Sequence, residues 1–199
     1  MFQVFLSYAS EDLAFAEALA DALESEGLRT FLAPRGVSGG SDWRVRLRDE
    51  LDHCNACIAV LTDAFRRSRW CDQEVGYAMG SGRPVIPVRP ASTDPAPYGL
   101  LGSIQAVPFD GLPAAQRATA VFDALLGRHE THQHLVEVAV AGLGVEREIG
   151  AVRKWVDRLE RLRGALSPMQ RSQLKEILRR NATIVLDLDI RSRLTEMLE

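Results

Sequence analysis

The chain has 199 residues, of which 46% are hydrophobic and 26% charged, with a formal net charge of −3. That length holds one α/β domain and a small appendage but not two full catalytic domains, and the composition is that of an ordinary globular chain rather than a disordered one. Residues through Arg128 include 12 basic and 16 acidic side chains, and those from Glu130 onward 12 and 11, so neither part has the positive excess of a dedicated nucleic-acid binder.

The first 126 residues or so alternate β-like and helical patterns. Phe2–Ser7 is an apolar opening strand. Ser10 reads as an N-cap with Glu11 and Asp12 in the first turn, and Phe15, Leu19, Ala22 and Leu23 mark one buried helix face that Gly27 ends. Leu28–Leu32 is a second strand, and the Gly/Ser-rich run from Pro34 to Ser41 a loop. Trp43, Leu47 and Leu51, spaced by four, predict a helix. Cys57–Leu61 is short and apolar, and the helical segments on both sides favour a strand. A helix over Trp70–Gly80, a strand over Pro84–Val88, a Pro-rich loop over Pro90–Pro97, a weak strand over Gln105–Phe109 and a closing helix over Pro113–Leu126 follow. Such alternation implies a parallel sheet covered by helices on both faces.

From Arg128 the pattern changes. Arg128–His134 is polar and reads as a linker, dividing the chain into a domain over 1–128 and a small helical C-terminal module over 129–199. Ile149, Val152, Val156, Leu159 and Leu162 form one apolar stripe, and Ser167-Pro168-Met169-Gln170 carries the signature of a capping box. The final segment is compatible with both periods. Ile184, Leu186, Leu188 and Ile190 alternate like a strand, while Leu186, Ile190, Leu194 and Met197 suit a helix, which is preferred because no partner strand is evident.

Ligands of open parallel sheets bind beyond the carboxyl ends of the strands. That rule points to Ser7-Tyr8, to the Leu32–Ser41 loop and to the segment after Leu61. In that last segment Trp70 and Glu74 stand one helical turn apart on one face, an aromatic plate beside a carboxylate. By spacing alone, a Trp packed into the sheet and a solvated surface Glu is the preferred reading of the pair. Cys54 and Cys57 have the spacing of half a zinc site without a second pair, so structural thiols are expected. His129, His132 and His134 lack a carboxylate cage, and no metal is expected. Gly36-x-x-Gly39-Gly40 lacks the Lys-Ser/Thr of a P-loop, and Ser7 lacks the elbow motif of a hydrolase nucleophile. Arg66-Arg67-x-Arg69 reads as a solvated turn that could meet phosphates at a pocket rim.

FLSYASED on the opening strand, GGSDW leading into a helix, CIAVLTDAFRRSRWCDQE and RPVIPV occur together and in order. Over residues 1–126 the chain therefore resembles the TIR domain, the fold named for Toll and interleukin-1 receptors. The resemblance implies a flavodoxin-like doubly wound sheet of strand order 2-1-3-4-5, with Leu32–Ser41 as the family's BB loop, used in assembly and in gating the pocket. Many TIR domains cleave NAD, and their catalytic Glu lies four residues after an aromatic in the motif matching Trp70–Glu74. The resemblance thus implies Glu74 as the catalytic residue, pocket-wall roles for Trp70, Ser7 and Tyr8, and Arg35 and Trp43 as further substrate contacts, Arg44 being the alternative to Arg35 at the phosphates. Where some members carry a basic residue after the tyrosine, this chain has Ala9.

The implied activity is NAD glycohydrolase of the bacterial NAD-cleaving type, giving nicotinamide plus ADP-ribose or a cyclic isomer, with NAD as substrate and no cofactor. The implied setting is antiphage immune signalling, with self-association through the TIR domain and through the C-terminal helices. Two rivals share the sequence: a non-catalytic TIR scaffold, which has no need of Glu74, and a nucleoside-processing glycosyltransferase on a related fold. No run reaches the roughly 18 apolar residues of a membrane span. Met1–Ser7 has no basic n-region, and the odd count of three cysteines fits a reducing compartment, so no membrane partner and a cytoplasmic location are expected.

Overall fold

The computed structural model describes residues 2–33, 41–92 and 94–198, with the backbone alone at Ser41 and Asp42. Two compact units emerge, residues 2–131 and the segment from His132 onward.

The first unit holds strands β1 (Gln3–Ser7), β2 (Arg29–Leu32), β3 (Ala56–Val60), β4 (Val85–Arg89) and β5 (Val107–Pro108). They form a parallel sheet in the order β2-β1-β3-β4-β5, with Val4 opposite Ala56, Ser7 opposite Ala59 and Ile58 opposite Ile86. This is the flavodoxin-like order. All of β3 and nearly all of β1 are buried, as strands covered on both faces must be. Five helices lie among the described residues of this unit: α1 (Leu13–Ser25), α2 (Ser41–His53), α3 (Asp63–Arg67), α4 (Arg69–Gly80) and α5 (Ala114–Leu126).

Side chains of a strand alternate between faces. Phe5, Cys57 and Ala59 therefore join Leu47, Leu51, Cys71, Val75 and Ala78 in the core beneath α2 and α4. Val4, Leu6, Ile58 and Val60 point to the opposite face, where α1 packs against α5. Pro87 sits within β4 at no cost to the ladder. Cys57 N donates to Pro84 O and Leu61 N to Val88 O, so residues 84 and 88 address β3 while position 87 addresses β5, where pairing starts only at Val88.

Gly27 ends α1 in the left-handed region at φ 80°, with Leu28 N bonding Leu23 O and Gly27 N bonding Glu24 O, the paired bonds of a Schellman cap. The start of α1 differs from the expected Ser10 cap. Ser10–Asp12 is a 3₁₀ turn, and neither Ala9 nor Asp12 makes a side-chain cap bond. Asp12 is otherwise engaged, accepting from Thr62 Oγ1 at 2.6 Å, and burial raises its carboxyl above the usual range.

The polar Arg128–His134 stretch, read as a linker, spans the division between the two units and is structured. His129–Thr131 is a 3₁₀ turn, and the Thr131 hydroxyl lies 2.6 Å from Leu125 O and 2.7 Å from Arg128 O, carbonyls that also accept from Arg128 N and Thr131 N. The second unit then comprises α6 (His132–Val145), α7 (Ile149–Arg161), α8 (Pro168–Arg180), α9 (Ala182–Leu186) and α10 (Leu188–Leu198). Val152, Val156, Leu159 and Leu162 are buried as the stripe requires, whereas Ile149, at the first turn, is 41% exposed. The capping box at Ser167 and Gln170 is formed from both sides. The final segment is helical but interrupted. Asn181 caps α9 through Thr183 N and Asp187 accepts from Ile190 N, so Ile190, Leu194 and Met197 are buried while Leu186 stands 84% exposed. Asn181 also donates to Leu143 O and Glu146 O, and Arg193 on α10 reaches Asp157 and Glu160 on α7.

Helices α6 and α7 cross closely at Gly142. A Cβ there would lie 2.6 Å from Cζ2 and 2.9 Å from Nε1 of the buried Trp155. Helix propensity favours Ala over Gly by about 1 kcal/mol, but overpacking costs about 1–3 kcal/mol. Gly142→Ala should therefore lower stability, by roughly 1 kcal/mol net, in urea unfolding of the full chain. A stabilised variant would show that propensity, not the close approach, governs this position.

Candidate active site

The site grows from two local patterns. Ser7 lies two residues beyond Phe5, so the strand period turns its hydroxyl to the face that α4 covers. Helix α4 starts at Arg69 because the Ser68 side chain accepts from Cys71 N and the helical N–H groups find a cap. From that start Trp70 and Glu74 fall on one side, a turn apart.

Glu74 is not a solvated surface carboxylate. It is 2% exposed, and Ser7 Oγ donates to its Oε2 at 2.6 Å. Trp70 is not packed into the sheet either, being 40% exposed. A cavity of about 370 Å³ opens between α2 and α4, with Arg44, Arg48, Trp70, Gln73, Glu74 and Tyr77 among its lining. That volume falls in the range of small-molecule sites. Leu47 and Leu51 of α2 supply apolar wall. Trp43 meets Trp70 edge-on at 5.0 Å between ring centroids and 62° between planes, and the Arg44 guanidinium lies 5.8 Å and 5.9 Å from the two rings. Across the cavity Tyr77 donates to Asp52 at 2.7 Å, and that hydrogen bond to a carboxylate raises its phenol.

Of the residues expected at the site, Ser7, Trp43, Trp70 and Glu74 come together. Ser7 and Tyr8, both buried, are not among the residues that line the cavity. Ser7 sits beneath Glu74, and the Tyr8 hydroxyl donates to Ala33 O at 2.8 Å, tying the end of β1 to the residue after β2. Arg35 and most of the Leu32–Ser41 loop lie outside the described residues. The Arg66 guanidinium stacks 5.5 Å from the Tyr98 ring, beside a separate cavity of about 260 Å³ lined by Phe65, Asp72, Val75 and Leu101. Arg48, Gln73 and Tyr77 were not singled out by the sequence reading. The one available signal was the four-residue step from Arg44 to Arg48, which puts both on one helix face.

All three cysteines are buried free thiols. Burial pushes Cys57 well above the ordinary thiol range, with Cys54 and Glu74 adding to the effect, and pushes Cys54 up to about 11. Cys54 Sγ donates to Leu51 O, and Cys71 Sγ to Tyr8 O at 3.3 Å. Among the described residues no group of three or more His, Cys, Asp or Glu side chains is placed to hold a metal ion.

The family model for the TIR domain matches residues 4–126. The chain belongs to the TIR domain family. Solved structures similar to it include the TIR domain of the Toll-related receptor TRR-2 from Hydra magnipapillata, at 22% identity over 65% of this chain and 98% of that one, with a TM-score of 0.47. The TIR domains of the activated Roq1 resistosome recognising the effector XopQ align at 19% identity over 90% and 98%, with a TM-score of 0.42. A 2-desoxiribosyltransferase from Leishmania mexicana aligns at 16% over 49% and 68%, with a TM-score of 0.40. No curated protein matches the chain. In this TIR domain no helix among the described residues is long and apolar enough to cross a membrane.

The thiols give a direct check on the packing around the site. A thiolate reacts and a buried thiol does not, so at about pH 8 the native protein should leave all three cysteines unmodified by Ellman's reagent over minutes, and denaturant should expose all three. The raised value of Cys54 also sets a sign. Its contribution to stability is complete below its ordinary value of 9.0 and is lost as pH rises through about 11. A thiol titrating at once in the native protein would mean that the core beneath α2 and α4 opens.

Proposed function

We propose that this TIR domain is an NAD glycohydrolase in which Glu74 is the catalytic carboxylate. The observation that carries the reading is the buried Glu74, held by the Ser7 hydroxyl at 2.6 Å at the foot of a cavity whose exposed aromatic wall is Trp70. Most glycosidases need two carboxyl groups because an alcohol leaving group must be protonated. Nicotinamide in NAD is already cationic. When its N-glycosidic bond breaks, the electron pair goes to the ring nitrogen and nicotinamide leaves neutral, so one carboxylate suffices. Glu74 then stabilises the positive charge that develops on the ribose, an effect that is strong in a preorganised, water-poor site.

The other residues act around that carboxylate. Ser7 fixes the Glu74 rotamer and so works as a positioning residue. Trp70 offers a π-face for a heteroaromatic ring, braced by Trp43. Tyr8 anchors Ala33 next to the loop expected to gate the pocket. The ribosyl cation is captured by water, which loses a proton and gives ADP-ribose, or by the adenine ring, which gives a cyclic isomer. Within this reading the protein works in the cytoplasm in antiphage signalling, in keeping with the roles of NAD-cleaving TIR domains. The TIR domain and the helical module both take part in self-association, the module acting as an assembly unit.

Glu74→Gln removes the charge at nearly constant volume and keeps an oxygen for the Ser7 hydroxyl. Nicotinamide release from NAD should fall by about 100-fold or more, with an unchanged circular dichroism spectrum and melting temperature. Wild-type turnover in the folded variant would remove Glu74 from the chemistry and favour the scaffold reading. Self-association makes a second prediction. Because loops that gate sites respond to neighbours, specific activity should rise with protein concentration in step with the oligomer seen by light scattering. Constant specific activity of a monomer across the dilution series would remove assembly from the mechanism.

A further inference from the structure

Helix α2 presents two cations to the cavity. Arg44 and Arg48 lie one turn apart, on one face, and both line the space opposite Trp70 and Glu74. Among the described residues neither guanidinium forms an ion pair, although α2 carries several carboxylates. Asp49 pairs with His53, Glu50 accepts from Gln3 and Asp52 accepts from Tyr77. Like charges at this spacing are mutually repulsive, and an anion placed between them would relieve that repulsion.

The charges are also sorted by depth. Arg44 and Arg48 are exposed, at the rim, while Glu74 is 2% exposed, at the foot. A simple anion free to settle anywhere in the cavity would be repelled from its floor. A ligand that carries its negative charge at one end, separated by a sugar from a cationic or neutral end, would match both. Four residues of helix span about 6 Å, a separation that lets two guanidinium forks grip adjacent phosphoryl groups, each fork suited to two oxygens at once. Arg44 is already placed beside the Trp43–Trp70 pair, so one cation stands next to the surface on which a ring would stack. Arg48 is the other, close enough to Tyr77 that its charge acts on that phenol.

We infer that Arg44 and Arg48 form a diphosphate-binding rim that selects dinucleotides carrying a bridging diphosphate over nucleosides that lack one. This rests on the assignment of the cavity as the NAD site. The rim supplies affinity and substrate selection, and Glu74 supplies the chemistry.

The test uses the full-length protein, wild type and the Arg44→Gln, Arg48→Gln and Arg48→Lys variants, with folding checked by circular dichroism. Calorimetry with ADP-ribose reads the rim without catalysis. Each Gln variant should weaken binding by roughly 10-fold or more, the usual range for losing a charge-assisted bond, and Arg48→Lys should recover part of that loss. In turnover assays the selectivity for NAD over nicotinamide riboside, the ratio of their kcat/KM values, should fall by a similar factor through KM. Absence of ADP-ribose binding to the wild type, unchanged binding in both Gln variants, or equal losses for NAD and nicotinamide riboside would each overturn the rim. The two assignments fail separately. Wild-type protein that binds ADP-ribose with these sensitivities but leaves NAD intact sinks the glycohydrolase reading and keeps the rim. Protein that cleaves NAD with unchanged KM in both Gln variants does the reverse.

Discussion

A carboxylate removed from water is costly unless polar groups compensate it, and the bond from Ser7 Oγ to Glu74 Oε2 is where this chain meets that cost. The bond joins the end of the interior strand β1 to the second turn of α4, so a shift of either partner breaks it. A one-residue slip of β1 against β3 would turn Ser7 to the face occupied by α1 and bring Leu6 under Glu74. The register of Ser7 opposite Ala59 prevents this, and the small Ala59 and Cys57 leave room beside it for α4 to lie close to the sheet. The same packing keeps Cys57 and Cys71 dry. Sheet register, helix placement and carboxylate burial are thus consequences of a single fit.

Much of this was legible because parallel strands buried on both faces must be apolar throughout, and helices between them must show a three-to-four residue period. The runs at Val4–Leu6, Cys57–Val60 and Val85–Val88 are of that kind, and the strand order followed from the motifs that resemble a TIR domain. Spacing made the pair Trp70 and Glu74 legible as a face, and the resemblance alone pointed to it as a site. Spacing says that two side chains are neighbours, and only the sheet beneath α4 decides that one is buried and the other exposed. The contribution of Ser7 was visible as a position beyond a strand end, but its direct bond to Glu74 depends on two segments 67 residues apart.

Polar residues near an element boundary hide their long-range roles. Ser10 looked like a cap because such residues were assigned to local roles, and Arg128–His134, which spans the division between the two units, is more structured than its polarity suggests. In the fold, Asp12 bonds Thr62, 50 residues away, and the Thr131 hydroxyl reaches the carbonyls of Leu125 and Arg128. The tail shows the reverse case. Its apolar residues fit two periods, and Asn181 and Asp187 settled the matter by capping successive short helices, which consigned Leu186 to the surface. Capping side chains decided what hydrophobic spacing left open.

Helix α2 carries the last step of the synthesis. Leu47 and Leu51 belong to the core that fixes α4 and also wall the cavity, while Arg44 and Arg48, beside them on the same face, bring charge to it. Glu50 and Asp52 bond Gln3 and Tyr77, and Asp49 pairs with His53 on α2 itself, so the helix stays cationic where it faces the cavity without being cationic overall. The proposed chemistry, run by one carboxylate, depends on that division. Cations pressed against Glu74 would neutralise the charge that stabilises a ribosyl cation, whereas cations held at the exposed rim bind the distant anionic part of a substrate and leave Glu74 its field. In the proposed function, depth in the cavity, set by the apolar stripe of α2 and the burial of Glu74, is what keeps binding charge and catalytic charge from cancelling each other.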